Sequence, residues 1–310
     1  MHQPSLAAGE LAPDQSLNLP QASSQTRSRL AGIFGALVSF TLLIVIALYF
    51  RDVRLELIER MVPSSGLFWV TFAAYYLAGP FSELGIFRKL WQIPFSGLGA
   101  LLRKQVSNEL LLGYLGEVQF YAWARSHLNF VTAPFGAIKD VTILSALVGN
   151  IATLAMLGFA WPLVASGQIG VEMRSAFLSL GVVLLTSLVI LMFRHKLFTL
   201  PREELWFISA VHAVRVFVLL GLAAVMWHQV LPQVSIGLWL VMATLRMLVS
   251  RLPLVPNKDV VFAGLAIFLM GHDIEIGELM TMMAAIVMAA HILVGGAFGI
   301  ADVIESWRMR

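Results

Sequence analysis

The chain contains no cysteine, which excludes disulfide bonds and thiolate metal sites. Its seven histidines show no metal-ligand spacing such as His-Glu-x-x-His. No glycine-rich phosphate loop and no nucleophile next to a base is present in the sequence pattern either. We therefore expect no bound metal, no cofactor and no enzymatic activity.

Charged residues are also scarce. They make up 13% of the 310 residues, whereas a soluble domain carries about 25%. Hydrophobic residues make up 59%, and the mean hydropathy is +0.83. Several apolar runs approach or exceed the roughly 18–20 residues that cross a bilayer. The composition predicts an all-α, polytopic membrane helix bundle in the inner (plasma) membrane.

The apolar runs predict about eight membrane spans. We expect a disordered cytoplasmic tail at 1–29, a transmembrane domain at 30–304 and a cytoplasmic tail at 305–310. The run at 30–50 is too long for a typical signal peptide and indicates an uncleaved anchor. The predicted spans are 30–50, 66–87, 141–164, 176–193, 205–227, 236–250, 260–271 and 276–300.

Basic residues favour one orientation of these spans. With the N-terminus inside, fifteen of the 21 Lys and Arg residues lie in inner segments and four in outer segments. This excess predicts that both termini are cytoplasmic. The net charge of +3 and the pI of about 9.4 arise from short basic loops, so they indicate membrane lipids rather than nucleic acid as partners.

The stretch 91–140 fits neither a simple loop nor a simple span. It is too apolar for a loop and too charged for a membrane helix, and Gly113 and Gly116 interrupt its helical pattern. Irregular backbone survives at membrane depth when it is buried in protein or lines a wet cavity. We expect either a re-entrant helix pair or an amphipathic helix pair at the inner interface.

Two arginines fall inside predicted spans. Arg215 lies near the middle of 205–227, where an arginine costs about 2.5–3.5 kcal/mol or more unless a partner offsets it. His212 lies one helical turn away on the same face. Arg246, nearer the inner end of its span, is a further candidate that could also snorkel. We predict a polar pocket for an anionic headgroup at these residues, and the alternative is a purely structural ion pair.

Three charged residues of the stretch 91–140 are candidates for the same pocket. Glu109 and Glu117 are eight residues apart, which places them close to one face if their helix is continuous. Either carboxylate could hold Arg215 when no ligand is bound. Arg125 follows in the same stretch and is included in the predicted site.

The pattern Pro-x4-Lys-Asp-Val occurs twice, with Lys139 and Asp140 in the first copy and Lys258 and Asp259 in the second. Each copy opens an apolar segment from the predicted inner side. The proline predicts a break, after which a helix begins with the aspartate in its first turn. Exposed amides at such an end bind phosphate, and transporters place repeated broken helices around their substrates. The alternative is coincidence with ordinary capping at a cytoplasmic boundary.

Four segments, taken in order, carry a likeness to a known family. They are Arg88-Lys89-Leu90-Trp91, NELLLGYLGE at 108–117, Pro-Phe-Gly at 134–136 and RLPLVPNKD at 251–259. Over approximately residues 30–300 the chain resembles the lysylphosphatidylglycerol synthase transmembrane region, the flippase-like domain of multiple peptide resistance factor. The resemblance implies translocation of lipids or polyprenyl-linked headgroups between leaflets. The family's synthase activity belongs to a separate soluble domain, which we do not expect here.

Three functions therefore remain open. The first is binding and translocation of a lipid or polyprenyl-linked headgroup, with anionic or phosphate-bearing lipids as partners. The second is a non-catalytic assembly or scaffold subunit, whose intramembrane charges pair with a membrane protein partner or a second copy of the chain. The third is a membrane-embedded lipid-modifying enzyme that uses Glu109, Glu117 or the Lys-Asp pairs.

The predicted orientation can be tested by cysteine labelling, because the chain has no cysteine of its own. We expect the variant Ile274→Cys, in the predicted outer loop, to react with a membrane-impermeant reagent added from outside. The matched control Lys196→Cys, in a predicted inner loop, should react only after permeabilisation. Labelling of position 274 only from the cytoplasmic side would contradict the predicted orientation.

Overall fold

The structure, a computed structural model, describes residues 63–111, 115–128, 135–165, 198–250, 258–269 and 274–308. Secondary structure in these ranges is entirely helical. The all-α prediction is therefore confirmed for the part of the chain that the structure describes. The helices in these ranges are α1 (Gly66–Trp91), α2 (Gly97–Leu110), α3 (Leu115–His127), α4 (Phe135–Ala165), α5 (Arg202–Val230), α6 (Ile236–Ser250), α7 (Lys258–Leu269) and α8 (Ile274–Arg308).

Three of these helices are long and apolar enough to cross a membrane, and they support membrane association. The qualifying stretches are Phe135–Met156, Arg202–Val230 and Glu275–Ile304, in α4, α5 and α8. α6 is apolar but has 15 residues, and α7 has 12, or about 18 Å of helix against a hydrocarbon core of about 30 Å. α1 has the length, with 26 residues, but carries Glu83, Arg88 and Lys89 toward its end.

Helix positions follow the predicted spans. The span predicted at 236–250 coincides with α6, and five others fall on α1, α4, α5, α7 and α8, with ends displaced by up to eight residues. The helix α8 continues to Arg308, through most of the predicted tail at 305–310. The predicted tail at 1–29 and the spans at 30–50 and 176–193 lie outside the described residues.

A proline inside α1 shapes the contact between α1 and α2. Pro80 has no amide hydrogen, so the carbonyl of Tyr76, four residues earlier, loses its helical partner. The side chain of Gln105 on α2 donates a hydrogen bond to that oxygen at 3.2 Å. Gly79 leaves room for this contact, since a Cβ there would lie 3.3 Å from Gln105 Oε1. A side chain of α2 therefore supplies the hydrogen bond that Pro80 removes from α1.

The helices α2 and α3 pack against each other on either side of a break in the chain's helical pattern. Gly116 approaches Lys104 so closely that a Cβ would lie 2.2 Å from the Lys104 carbonyl oxygen. Its amide donates a hydrogen bond of 2.7 Å to Asn108 Oδ1. Gly116 lies inside α3 instead of interrupting it, and Gly113 lies outside the described residues. Because α2 ends at Leu110 and α3 begins at Leu115, Glu109 and Glu117 are on different helices instead of on one continuous face.

Two large buried apolar clusters, with a third small one between α2 and α8, hold the described helices together. One joins α1, α5, α6, α7 and α8 and includes Trp227, Trp239 and Met242. The other joins α1 to α5 through the intervening helices and includes Phe87 and Phe120. On α1 the residues of these two clusters are separated at Glu83, and on α5 they are separated at Arg215. Charged side chains therefore lie at the boundary between the two clusters.

The close contact between α2 and α3 predicts a severe effect of Gly116→Ala. The added Cβ requires the two helices to separate, so the melting temperature in detergent should fall by several degrees or folding should fail. The matched control is Gly221→Ala on α5, where nothing lies within 4 Å of the added Cβ. Alanine favours a helix, so this variant should be as stable as the parent or more so. Equal melting temperatures for the two variants would contradict the contact.

Candidate functional site

A buried charged contact joins α1, α2 and α3. Lys104 Nζ donates hydrogen bonds of 2.9 and 2.7 Å to the two carboxylate oxygens of Glu83. A second carboxylate, that of Glu117, lies 3.4 Å from the same nitrogen. The side chains of Lys104 and Glu83 are 6% and 16% exposed. One ammonium group therefore ties together three helices in a largely dry environment, where each of its acid partners offsets part of its desolvation.

Arg215 lies beside this contact, in the middle of α5. It is thirteen residues after Arg202, which is about 20 Å along the helix. Its Nη2 donates a hydrogen bond of 2.7 Å to the Ser145 hydroxyl on α4. Its Nη1 is 4.0 Å from Glu83 Oε1, a distance too long for a hydrogen bond. Since a guanidinium has five N–H donors, most of the donor capacity of Arg215 is not used by the described residues.

Arg215 and Arg246 border the same cavity, which lies between α1, α5 and α6 and has a volume of about 170 Å³. Pockets that enclose a whole drug-sized ligand measure roughly 300–1,000 Å³, so this one accommodates a headgroup and not a complete lipid. Apart from the two guanidinium groups and one hydroxyl, its walls are apolar or glycine. The remaining lining residues are Gly79, Val216, Leu219, Leu220, Ala223, Ala243, Met247 and Ser250.

Arg246 is held by an acid of its own. Asp259, in the first turn of α7, accepts a hydrogen bond of 2.5 Å from Arg246 Nε and lies 2.5 Å from Nη2. The guanidinium also lies 5.4 Å from the centre of the Tyr75 ring, within the range of a cation–π contact. Arg246 therefore brings a fixed and partly neutralised cation to the cavity, whereas Arg215 brings one with little direct pairing.

The carboxylate beside Arg215 differs from the one that the sequence predicts. The sequence favours Glu109 or Glu117 as its partner, and this is wrong, because among the described residues the nearest acid is Glu83. Glu83 lies four residues before the end of the span predicted at 66–87, where a charge is ordinary at a membrane boundary. The available signal was the isolation of this acid within an otherwise apolar run.

The two glutamates predicted for the pocket lie elsewhere in the charged network. Glu117 contacts Lys104, and its oxygens accept hydrogen bonds of 3.3 and 3.1 Å from Asn108 Nδ2. Glu109 lies within electrostatic range of Asp259, Lys258 and Arg246, toward the start of α7. Neither glutamate borders the cavity.

His212 and Arg125 do not border the cavity either. His212 is fully buried, and its Nε2 donates a hydrogen bond of 3.2 Å to the Val141 carbonyl, across the contact between α5 and α4. Arg125 is exposed on α3 and donates a hydrogen bond of 3.1 Å to the Tyr121 hydroxyl. The structure therefore places one in a helix contact and the other on the surface.

The two Lys-Asp pairs have different environments. Asp140 is the sixth residue of α4, so the prediction that it lies in the first turn is wrong, whereas the same prediction is confirmed for Asp259 in α7. Lys139 is partly exposed, and its Nζ is 3.5 Å from Asp140 Oδ1. Lys258 is partly buried at the start of α7. The repeated sequence pattern thus does not produce a repeated structure.

Asp140 holds the connection that leads into α5. Its side chain is 0% exposed, and Oδ2 accepts hydrogen bonds from the amides of Thr199 and Leu200 at 2.6 and 2.8 Å. The hydroxyl of Thr199 donates a third bond to the same oxygen at 2.9 Å. These contacts orient the chain immediately before α5 begins at Arg202, and they give Asp140 a structural role.

Comparison with known proteins assigns no family to this chain. A scan against protein-family models, a comparison with curated proteins and a comparison with solved structures all give no match. The resemblance to the lysylphosphatidylglycerol synthase transmembrane region therefore stays a prediction. The two arginines and their cavity are the basis on which a function has to be argued.

The contacts of Asp140 predict a structural phenotype. Asp140→Ala should lower the melting temperature, because it removes the buried carboxylate that accepts hydrogen bonds from the amides of Thr199 and Leu200, and a hydrogen bond to a charged group contributes about 1.5–3 kcal/mol. The matched control Lys139→Ala removes a partly exposed neighbour and should change the melting temperature little. Thermal denaturation in detergent measures both variants. Normal stability of Asp140→Ala combined with lost ligand binding would instead assign Asp140 to the ligand site.

Proposed function

We propose that this chain is an inner-membrane protein that binds the anionic or phosphate-bearing headgroup of a lipid in the cavity between Arg215 and Arg246 and moves that lipid between leaflets. A polyprenyl-linked headgroup has the same chemistry and belongs to the same proposal. The observation that carries the proposal is that two guanidinium groups and a set of apolar side chains line the same cavity. Such a site suits a ligand with a charged head and an apolar continuation.

The state of Arg215 supports an anionic ligand. A cation in the middle of a long apolar helix is costly unless opposite charge or hydrogen bonds compensate it. Ser145 supplies one hydrogen bond, and Glu83 lies too far away to supply another. A phosphate oxygen in the cavity would complete this coordination with charge-assisted hydrogen bonds. Because the Glu83 carboxylate remains near Arg215, it would compete with the bound phosphate for the guanidinium, and the headgroup would be able to dissociate.

The membrane arrangement that accompanies this proposal has about eight spans and both termini in the cytoplasm. In this proposal six of the predicted spans fall on α1 and α4 to α8, and the predicted spans at 30–50 and 176–193 are the other two. Since α6 and α7 are shorter than the hydrocarbon core, they require a locally thinned bilayer. α2 and α3 form a re-entrant or interfacial pair on the inner side. Stacked Trp91, Phe120 and Trp123 support a position at the membrane–water interface, where aromatic and basic side chains concentrate.

The proposal predicts that Arg215→Gln reduces translocation of fluorescent phosphatidylglycerol in proteoliposomes by about tenfold, because charge-assisted hydrogen bonds are lost. Arg246→Gln should act in the same direction. The matched control Arg125→Gln removes an exposed arginine outside the cavity and should behave like the parent. Fluorescent phosphatidylcholine should be moved less than phosphatidylglycerol by the parent protein.

Other results would favour other functions. Equal movement of phosphatidylglycerol by the parent and by Arg215→Gln, with reduced thermal stability of the variant, would make Arg215 structural. Covalent change of the lipid, detected by mass spectrometry, would indicate an enzyme. Binding of inorganic phosphate without any lipid movement would indicate a soluble anion as the ligand. Loss of a co-purifying membrane protein from Arg215→Gln, with no lipid movement by the parent, would indicate a scaffold subunit.

A further inference from the structure

Glu83 lies between two cations and is held by only one of them. Its oxygens are 2.7 and 2.9 Å from Lys104 Nζ, whereas the nearest nitrogen of Arg215 is 4.0 Å away. The difference decides which cation is neutralised, because a hydrogen-bonded ion pair at close range is much stronger than a contact at the limit of pairing. Glu83 is therefore hydrogen-bonded to Lys104, and Arg215 is left beside the cavity without a hydrogen-bonded ion pair.

We propose that Lys104 is a positioning residue for the anion site: by holding Glu83, it keeps the guanidinium of Arg215 available for a headgroup. Lys104 does this without bordering the cavity. This inference rests on the proposed binding function of Arg215. It adds a specific claim, which is that the affinity of the site depends on a lysine that never touches the ligand.

The surroundings of Lys104 hold its ammonium group beside Glu83. Its carbonyl packs against Gly116, where no Cβ can fit, so the backbone of α2 is fixed relative to α3 at this residue. Glu117 lies 3.4 Å from Nζ on the α3 side and is itself bound by Asn108. The ammonium is therefore placed between Glu83 and Glu117, and its side chain is 6% exposed.

Removal of the lysine charge would redirect Glu83. A buried carboxylate without a partner is strongly unfavourable, so Glu83 would turn to the nearest remaining cation. That cation is Arg215, at 4.0 Å, and a small side-chain rotation would bring the two into hydrogen-bond contact. Arg215 would then be neutralised by the protein, and an anionic headgroup would have to displace Glu83 in order to bind.

The test is a double-mutant cycle measured as binding of short-chain phosphatidylglycerol to the full-length protein in detergent. Lys104→Met should weaken binding about tenfold, the size of one lost charge-assisted contact. Glu83→Gln should tighten binding, by about threefold or more, because the competing carboxylate is gone. The double variant Lys104→Met/Glu83→Gln should bind as tightly as Glu83→Gln alone, because without Glu83 the lysine has nothing left to restrain.

The control is Arg103→Met, which removes the neighbouring cation on α2. Arg103 pairs with Asp302 on α8 at 2.6 Å and does not contact Glu83 or the cavity, so its loss should leave binding unchanged. If Lys104→Met does not fold, Glu83→Gln and the double variant still decide the matter, since both lack the competing acid. Failure of Glu83→Gln to tighten binding would then overturn the inference.

The outcomes separate this inference from the function on which it rests. If the parent protein binds no phosphatidylglycerol, or if Arg215→Gln binds as well as the parent, the proposed function is wrong. If Arg215→Gln weakens binding but folded Lys104→Met does not, or the double variant stays as weak as Lys104→Met, the anion site exists and Lys104 does not control it.

Discussion

The buried contact between Lys104 and Glu83 is the constraint on which the rest of the described structure depends. It joins the end of α1 to α2, and Glu117 extends it to α3. A buried ion pair gains little stability overall, because desolvation offsets most of its attraction, but it does fix which groups meet. Here it determines that Glu83 is hydrogen-bonded to Lys104 and that Arg215, on a different helix, has no hydrogen bond to Glu83.

Helix lengths are consistent with a site for a lipid headgroup. The helices α4, α5 and α8 carry stretches long enough to cross a bilayer, while α6 and α7 are shorter than its hydrocarbon core. The cavity of about 170 Å³ has room for a headgroup only, so acyl chains would lie along the outer surface of the bundle. The outer face of α5 offers such a surface, with Val214, Phe217 and Val218 exposed. Arginines inside and apolar residues outside match the two ends of a membrane lipid.

The apolar runs and the helix-breaking residues of the sequence were sufficient to place α1 and α4 to α8, because both are local properties. The helix α6 occupies 236–250, the residues that the sequence predicts for one span, whereas Gly116, predicted as an interruption, lies inside α3. Pairing between helices depends on three-dimensional packing, which a single sequence does not contain. The two Lys-Asp pairs show this limit: Asp259 meets Arg246, while Asp140, in the same local sequence, meets the amides that precede α5. Glu83 was missed for the same reason, since only the fold brings it between Lys104 and Arg215.

The central claim is that the cavity bordered by Arg215 and Arg246 holds an anionic headgroup, and native mass spectrometry of lipid that co-purifies with the protein tests it most directly. The parent protein should retain a phosphate-bearing lipid through gentle detergent exchange. The double variant Arg215→Gln/Arg246→Gln, purified in the same way and equally monodisperse, should have lost it. Retention of the same lipid by both proteins, or only of uncharged lipid by the parent, would contradict the account.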